Sequence, residues 1–224
     1  DATTRYENNL AGDRLNYNIM AVVSQETYKE SWFQAGKFDL TDPSLSVLDA
    51  ATVDASASGN ATDWAMRSYF GRLNLNWMEK YLFEANLRYD GSSRFRSGKD
   101  RWGAFPSFSA AWRMDQENFM NDINWLDNLK LRLSYGSLGN NSIGNYEYQA
   151  LYASSNYILN DALVVGFAQN ALANAMLTWE STYITNVGLD FDVLQGRLSG
   201  TIDLFNKQTK NILINLPAPL VVGN

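Results

Sequence analysis

The sequence predicts an all-β protein: an antiparallel sheet of about seven long strands, of the kind that forms a segment of a transmembrane β-barrel. Three observations predict it. Apolar and polar residues alternate with a period of two along most of the chain, which places the apolar side chains on one face of a sheet. Short and long connections alternate between the strands, and aromatic residues collect at the strand ends. Both of these features are typical of outer-membrane barrels.

Four strands are predicted in the first half of the chain. Residues 15–24 alternate weakly, and residues 69–77 clearly, with one side formed by Tyr69, Gly71, Leu73, Leu75 and Trp77. Residues 81–90 repeat the pattern with Tyr81, Phe83, Ala85, Leu87 and Tyr89. Residues 107–113 carry a weaker copy. Because successive side chains in a strand point to opposite faces, each strand is expected to have one apolar and one polar face.

Three more strands are predicted in the second half. Residues 129–136 set four apolar residues against Lys130 and Arg132. Residues 178–193 give the cleanest pattern, with Trp179, Tyr183, Val187, Leu189, Phe191 and Val193 on the apolar side. Residues 197–207 alternate weakly. Several of these segments are longer than the five or six residues usual in a globular sheet.

The connections between these strands differ in length. Tight turns are predicted at residues 78–80 and 194–196, and a compact turn with one helical turn at 114–125. Long loops are predicted at residues 27–63, 90–104 and 138–177. Aromatic residues near the short turns are Trp77, Tyr81, Trp112 and Trp125, and those near the long loops are Tyr89, Tyr135 and Trp179. Two such rings are what the two membrane interfaces favour.

Composition excludes several kinds of chemistry. The chain has no Cys and no His, which removes disulfides, Cys nucleophiles, Ser-His-Asp triads and His-ligated metals, and no cofactor is expected. Its net charge of −6 argues against a nucleic-acid-binding surface. No stretch approaches the roughly 20 apolar residues of a transmembrane helix. The chain starts at Asp1 without a signal peptide or an initiating Met, so we expect a processed, truncated or partial chain.

Several consecutive motifs resemble one protein family. The segments are "SYFGRLNLNWMEKYLFEANLRYDGSSRF", "RWGAFPSFSAAWRMDQENFM", "LDNLKLRLSYGSLGNNSIGNYEY", "TWESTYITNVGLDF" and "TIDLFNKQTKNIL", followed by a "P…G" ending. In this order and spacing they resemble the β-barrel of SusC/RagA-family TonB-dependent outer-membrane transporters. The resemblance runs from about residue 64 to residue 215 and is looser before that. Tyr89, Leu75 and Trp77 depart from residues common in the family, without putting the resemblance in doubt.

The resemblance implies a protein larger than this chain. Family members resemble barrels of about 22 strands with a plugged lumen, so residues 1–224 are expected to be a partial barrel without the plug, the signal peptide and the remaining strands. The implied location is the bacterial outer membrane, which the strands of the barrel would cross many times. The implied partners are a SusD-like surface lipoprotein, a TonB complex that contacts the missing N-terminal region, membrane lipid, and an oligosaccharide or oligopeptide substrate.

The family motifs are compatible with a functional site or with a structural role. "DGSSRF" could offer a serine nucleophile or a phosphate nest, but no His is present to act as base. We expect instead that Asp90 and Gly91 turn the chain, that the serines bond backbone groups, and that Arg88 and Arg94 pair with carboxylates. The expected structural residues are Asp90, Gly91, Ser92, Ser93, Arg94, Phe95, Trp102, Gly103, Phe105, Pro106, Gly139 and Asn140.

Two further groups of residues are candidates for contacts. Charged residues on the predicted lumen face are Glu180, Asp190, Asp192, Asp203, Lys130, Arg132 and Arg113. Two of the carboxylates could serve a glycosidase, but a wet barrel interior requires such residues in any case, and we expect no enzyme. In the long loop, Tyr and Asn suit sugars or extended peptides. The candidates there, for substrate or partner contacts, are Tyr146, Tyr148, Tyr152 and Tyr157.

Two alternatives to transport stay open. A SusC-like barrel that no longer imports could serve as a scaffold in an outer-membrane complex. A soluble carbohydrate-binding β-sandwich would also show alternating strands. The sandwich explains neither the strand lengths, nor the unequal connections, nor the aromatic strand ends.

Overall fold

The structure, a computed structural model, is all-β and antiparallel, as the sequence predicts. It describes residues 1–10, 12, 14–171 and 173–214; the "P…G" ending lies outside them. The strands are β1 (Ala2–Leu10), β2 (Leu15–Leu40), β3 (Ala51–Trp77), β4 (Tyr81–Ser92), β5 (Trp102–Arg113), β6 (Leu126–Asn140), β7 (Leu151–Leu159), β8 (Ala162–Ala171), β9 (Glu180–Val193) and β10 (Leu198–Lys210). An eight-stranded sheet has the order β1-β2-β3-β4-β5-β6-β9-β10, and β7 and β8 form a separate hairpin.

The register of the main sheet aligns the apolar positions of neighbouring strands. Leu131 lies opposite Trp112 on one side and Leu189 on the other, while Lys130 lies opposite Arg113 and Asp190. Because paired residues of an antiparallel sheet share a face, one face is predominantly apolar and the other predominantly polar. No second layer covers the apolar face within the described residues: Leu133 is 48% exposed and Val187 42%. A lipid environment suits such a face, whereas water does not.

Tight turns join the strands at one end of the sheet. Met78 and Glu79 take left-handed backbone conformations between β3 and β4, and Leu194 and Gln195 do so between β9 and β10. The connection from β5 to β6 contains two single 3-10 turns, Met114–Gln116 and Asn118–Met120. These are the three short connections that the sequence predicts.

The main sheet has eight strands where the sequence predicts about seven, because β1 was not recognised. Its nine residues pair with β2 from Leu10↔Leu15 to Ala2↔Val23. All nine are exposed, and their sequence, "ATTRYENNL", alternates too weakly to be recognised. The sheet is nevertheless open, since β1 and β10 are its two edges.

The predicted long loop at residues 27–63 is mostly strand. β2 and β3 continue as a ladder up to Leu40↔Ala51, and only residues 41–50 form the connection. β4 pairs with β3 only up to Met66↔Ser92, so the outer half of this hairpin projects beyond the sheet. Both of its faces are largely exposed, which removes the apolar alternation on which the prediction depended.

The other two long connections are also shorter than predicted. β4 continues to Ser92 and β5 begins at Trp102, so the loop between them covers residues 93–101 rather than 90–104. Within the predicted loop at 138–177, β6 continues to Asn140 and the hairpin of β7 and β8 occupies the middle. Small polar residues in these segments resemble a loop in the sequence, while their backbone groups pair in ladders.

Candidate functional site: the inward wall and the rim cluster

The polar face of the sheet, here called the inward wall, is organised by one arginine. Arg132 on β6 donates two hydrogen bonds of 2.8 Å to the carboxylate of Asp190 on β9. It also lies 3.3 Å from an oxygen of Asp203 on β10. Thr201 donates to Asp190, and Asn186 donates to Asp203. Two parallel bonds to a carboxylate fix the guanidinium geometrically, so three strands share one charged network.

The rest of the inward wall is largely polar and forms a shallow groove. A groove of about 410 Å³ is lined on this face by Asn16, Asn74, Asn76, Glu84, Ser109, Lys130, Arg132 and Asn186, among others. The other predicted lumen charges lie apart: Arg113 pairs with Asp115 at 3.6 Å near the short turns, and Glu180 bonds Asn140 near the opposite end. Among the residues described, no group of three or more carboxylates is placed to hold a metal ion.

The apolar face carries aromatic stacks near both ends. At the short-turn end Tyr81 stacks on Trp112, with ring centroids 6.5 Å apart. At the other end, here called the rim, Trp102 stacks on Tyr89 at 4.9 Å and lies near Tyr69 at 6.0 Å. A Cβ on Gly91 would meet the Trp102 ring at 2.8 Å, so the absence of a side chain at Gly91 allows the indole to lie across β4.

Within the described chain, a buried apolar core occurs only at the rim. This rim cluster consists of Phe95, Phe105 and Trp179, which are 0%, 7% and 5% exposed. Trp179 contacts both phenylalanine rings at centroid distances of 5.3 Å, and its indole N–H donates to the carbonyl oxygen of Arg101. Trp179 was predicted to stand in a lipid-facing ring. That prediction is wrong, since Trp179 precedes β9 and packs inward.

Two motif glycines make room for the rim cluster. A Cβ on Gly103 or on Gly139 would overlap the Phe105 ring. Phe95, Gly103 with Phe105, Gly139 and Trp179 come from four different sequence motifs. The structure therefore brings motifs that are up to 84 residues apart in sequence into one contact at the rim.

Side chains of "DGSSRF" tie the loop after β4 to its neighbours. Ser93 Oγ accepts a hydrogen bond from the backbone N–H of Ala65, and Ser92 Oγ accepts one from the backbone N–H of Arg94. Asn141 donates a further bond to Ser92 Oγ. Ser92 is completely buried. The serines thus bond backbone groups and a side-chain amide rather than facing a substrate cavity.

Two expectations for this motif differ from the structure. Asp90 and Gly91 are strand residues that pair with Gly103 and Trp102, so they do not turn the chain. Arg88 does pair with a carboxylate, donating to Asp90 at 2.6 Å. Arg94 does not. It donates to the side chain of Asn145 and the carbonyl of Asn141, and lies 5.1 Å above the Trp64 ring.

The remaining motif residues lie beside the cluster. The carbonyl of Pro106 accepts a hydrogen bond from Ser137 Oγ. Asn140, the last residue of β6, donates to Glu180 and accepts from the backbone N–H of Ser142. These contacts lie at the end of β6 that leads into the 141–149 turn.

The four candidate tyrosines fall into two places. Tyr146 and Tyr148 lie in the turn after β6. Tyr146 Oη donates to the Asp63 carboxylate on the projecting hairpin, and this hydrogen bond raises the pKa of Tyr146. Tyr152 and Tyr157 lie on β7 and are 65% and 52% exposed. The structure does not bring the four into one site.

Sequence reasoning missed the residues of β3 that anchor the rim. Asn145 donates to Thr62 at 2.7 Å, and Trp64 lies beneath Arg94. Thr62 falls in the segment predicted as a loop and Trp64 directly follows it, so no strand pattern connected either residue with the motifs. No helix in the described part of the chain is long and apolar enough to cross a membrane.

Comparison with known proteins gives consistent similarities. The family model described as "TonB dependent receptor-like, beta-barrel" matches residues 1–224, which extends the similarity beyond the range of the sequence motifs. The TonB-dependent receptor SusC of Bacteroides thetaiotaomicron is 41% identical over 165 residues, which cover 71% of this chain and 16% of SusC. The TonB-dependent receptor P39 of Formosa agariphila is 39% identical over 165 residues, covering 73% and 15%.

Solved structures of RagAB show a similarity to the same type of barrel protein. A structure of the RagAB peptide transporter matches with a TM-score of 0.88 at 26% identity, covering 99% of this chain and 24% of that one. The RagAB peptide importer in its "open-open" state matches with a TM-score of 0.83 at 26% identity. The matched residues of this chain therefore cover only about a sixth of these two curated relatives and about a quarter of the solved chains.

Proposed function

Because this chain belongs to the TonB-dependent receptor-like β-barrel family, we propose that it is one sector of the barrel wall of an outer-membrane nutrient importer of the SusC/RagA type. The observation that carries the proposal is the division of the sheet into two faces. The apolar face is uncovered and aromatic at both ends, as a lipid-facing wall requires. The polar face holds a charged network suited to a wet interior.

In this proposal the sector is completed by other parts of a longer chain. The open edges β1 and β10 would each pair with a neighbouring strand of a barrel of about 22 strands. A plug domain would fill the lumen against the inward wall, and an N-terminal segment would contact a TonB complex that supplies energy. No step of this role makes or breaks a covalent bond, so the sector is not an enzyme.

A SusD-like surface lipoprotein is the proposed lid. The exposed apolar face of the hairpin of β7 and β8 supports the proposal of such a partner. The register places five large apolar side chains on one face of that hairpin: Tyr152, Ile158, Leu163, Val165 and Phe167. Each is 65–76% exposed. A two-stranded hairpin is marginally stable in water by itself, and an exposed apolar face of this kind is typical of a protein contact. Tyr157 lies on the opposite face.

The proposed substrates are oligosaccharides or oligopeptides. Support for this substrate class comes only from a similar protein, since RagAB is described as a peptide transporter. The asparagines and charged groups of the inward groove are suited to hydroxyl and amide partners alike, and they do not separate the two classes.

Uptake by the parent protein tests this function. Cells that lack the parent chain should lose uptake of labelled oligosaccharides or of labelled oligopeptides, and disruption of TonB should cause the same loss. Complementation with the parent gene should restore it. Unchanged uptake of both classes, together with loss of an assembled outer-membrane complex, would instead support the scaffold alternative.

A further inference from the structure

The inward face of the projecting hairpin carries a row of alternating acidic and aromatic side chains. This hairpin row consists of Glu26, Tyr28, Glu30 and Trp32 on β2. β2 and β3 pair without a register shift over residues 15–36, so every second residue lies on the same face. Met66, the partner of Glu26 on β3, packs against the rim cluster. The hairpin row therefore continues the inward wall beyond the rim, at the mouth of the proposed lumen.

Contacts hold the aromatic rings of this face in place. Tyr28 lies directly opposite Trp64, and their rings stack with centroids 6.2 Å apart and an interplanar angle of 24°. The guanidinium of Arg94 lies 5.1 Å above the Trp64 ring. Tyr28 Oη donates a hydrogen bond of 3.2 Å to the carboxylate of Glu30. The face thus already binds one guanidinium on an aromatic ring, while Tyr28 and Trp32 remain 46% and 51% exposed.

The base of the hairpin is held at the rim by two other segments of the chain. Ser93 and Ala65 exchange two hydrogen bonds, one from each backbone N–H. Asn145 donates a further bond to Thr62 at 2.7 Å. Ala65 and Thr62 lie directly opposite residues 27 and 30 of β2. These bonds therefore fix the position of the hairpin row relative to the barrel wall.

The projecting hairpin also carries most of the net negative charge of the chain. Residues 25–66 contain seven acidic and two basic residues, a net charge of −5 against −6 for the whole chain. The acidic residues are Glu26, Glu30, Asp39, Asp42, Asp49, Asp54 and Asp63. Within the described chain none of them forms an ion pair. A surface dominated by one sign of charge attracts ligands of the opposite sign.

The groups of the hairpin row suit a positively charged side chain. Glu30 lies between Tyr28 and Trp32, with its Cα about 7 Å from each of theirs along the strand. A carboxylate binds an arginine or lysine side chain, and an aromatic ring beside it adds a cation–π contact. Neutral oligosaccharides carry no cation, whereas oligopeptides can carry arginine and lysine. The hairpin row therefore separates the two substrate classes that the inward groove leaves open.

We propose that the hairpin row binds arginine or lysine side chains of an oligopeptide substrate at the entrance of the barrel. This inference rests on the proposed function, because it requires the inward face to line the transport path. Glu26 and Glu30 lie about 13 Å apart along β2. They match two basic residues four positions apart in an extended peptide, which has the same rise per residue as a strand. Tyr28 and Trp32 supply the ring surfaces beside each bound cation.

Peptide binding by the full-length parent protein in detergent micelles tests this role. The probe is a short fluorescent peptide with two arginines four positions apart, and fluorescence anisotropy measures its affinity. E30Q should weaken binding about threefold and E26Q/E30Q about tenfold, which corresponds to one and two exposed ion pairs. W32A should weaken binding about threefold through the lost cation–π contact.

Two matched variants serve as controls. D161N removes the same charge from the turn between β7 and β8, outside the projecting hairpin. F33A removes a ring from the residue next to Trp32, which lies on the opposite face and is 89% exposed. Both controls should bind the arginine peptide like the wild type. SDS resistance before heating shows that each variant is folded.

Three results would overturn the proposal. One is equal binding by the wild type of the arginine peptide and of a peptide with glutamine at both positions. Another is unchanged binding of the arginine peptide by E26Q/E30Q. The third is equally tight binding of a glucosamine oligosaccharide, which would indicate a site for amino sugars rather than peptides. TonB-dependent uptake of an oligosaccharide by a protein that fails this test refutes only the role of the hairpin row, whereas absence from the outer membrane refutes the proposed function itself.

Discussion

Phe105 sets how closely the strands approach each other at the rim. Its ring fills the space above Gly103 and Gly139, where no Cβ fits. Phe95 and Trp179 close over it from two other segments. Because this is the one buried apolar cluster in the described residues, glycine at these two positions is a packing requirement rather than a conformational one.

Substitution of Gly139 tests this packing. Gly139→Ala in the parent protein should lower its free energy of unfolding by about 1–3 kcal/mol, the usual cost of overpacking. The matched control is Gly71→Ala, also within a strand, where a Cβ would meet nothing within 4 Å. Urea titration in lipid vesicles measures both. Equal stability of the two variants would show that the Phe105 ring moves aside freely.

Glu117 makes the short-turn end sensitive to acid. Hydrogen bonds from Tyr81 Oη, Trp112 Nε1 and Lys80 Nζ lower the pKa of the Glu117 carboxyl. A lowered folded-state pKa contributes stability that is complete above the ordinary carboxyl pKa and is lost as the pH falls through the lowered value.

Glu117→Gln should therefore reduce the melting temperature of the parent protein at neutral pH, and the difference from wild type should shrink towards zero in acid. Thermal melting curves, recorded by tryptophan fluorescence between pH 7 and pH 2, measure this difference in melting temperature. Glu79→Gln is the control, since Glu79 lies in the neighbouring turn and its carboxylate makes no hydrogen bond or ion pair with a described residue. A difference that stays constant with pH would contradict the assignment.

At the scale of the strands, β6 and β9 show how the two faces differ. Leu131 and Leu189 are paired on the outward face, and Lys130 and Asp190 on the inward one. Leu131→Arg or Leu189→Arg should cost about 2–4 kcal/mol if these residues face the middle of the membrane. Lys130→Ala should cost far less. Refolding of these variants into lipid vesicles measures their free energies of folding. Equal destabilisation by substitutions on the two faces would argue strongly against a membrane wall.

The hairpin of β7 and β8 is an element whose role is separable from the barrel. Phe167→Ser, on its apolar face, should weaken capture of the lid lipoprotein by the parent protein while leaving barrel folding unchanged, because the hairpin pairs with no strand of the main sheet. Ser155→Ala on the opposite face is the control. Co-purification of the lipoprotein with each variant measures the effect, and undiminished capture by Phe167→Ser would exclude this face as the contact.

For the molecule as a whole, the main sheet can neither satisfy the backbone hydrogen bonds of its edge strands nor cover its own apolar face. Its edge strands β1 and β10 leave a row of backbone groups unpaired within the described sheet, and its apolar face lacks a cover. The 224-residue segment expressed alone should therefore aggregate in buffer without detergent. Size-exclusion chromatography and circular dichroism check this. A water-soluble folded monomer would exclude the barrel assignment.

The all-β class, the family and seven of the strands could be predicted from the amino-acid pattern alone. Apolar and polar residues alternate with a period of two wherever one face of a strand contacts lipid and the other contacts water. This pattern is clearest in β6 and β9. The charged network of Arg132 and Asp190 was predictable for the same reason: both residues lie on the polar side of clean alternations.

The remaining strand bounds and side-chain partners depend on contacts between distant parts of the chain. The tertiary structure extended β2 and β3 into a projecting hairpin, turned Trp179 inward, and gave Arg94 amide and aromatic partners in place of a carboxylate. In these places both strand faces are exposed, or the contact joins residues far apart in sequence. Local patterning carries no information there, because the partners are fixed by strand pairing and packing across the sheet rather than by neighbours along the chain.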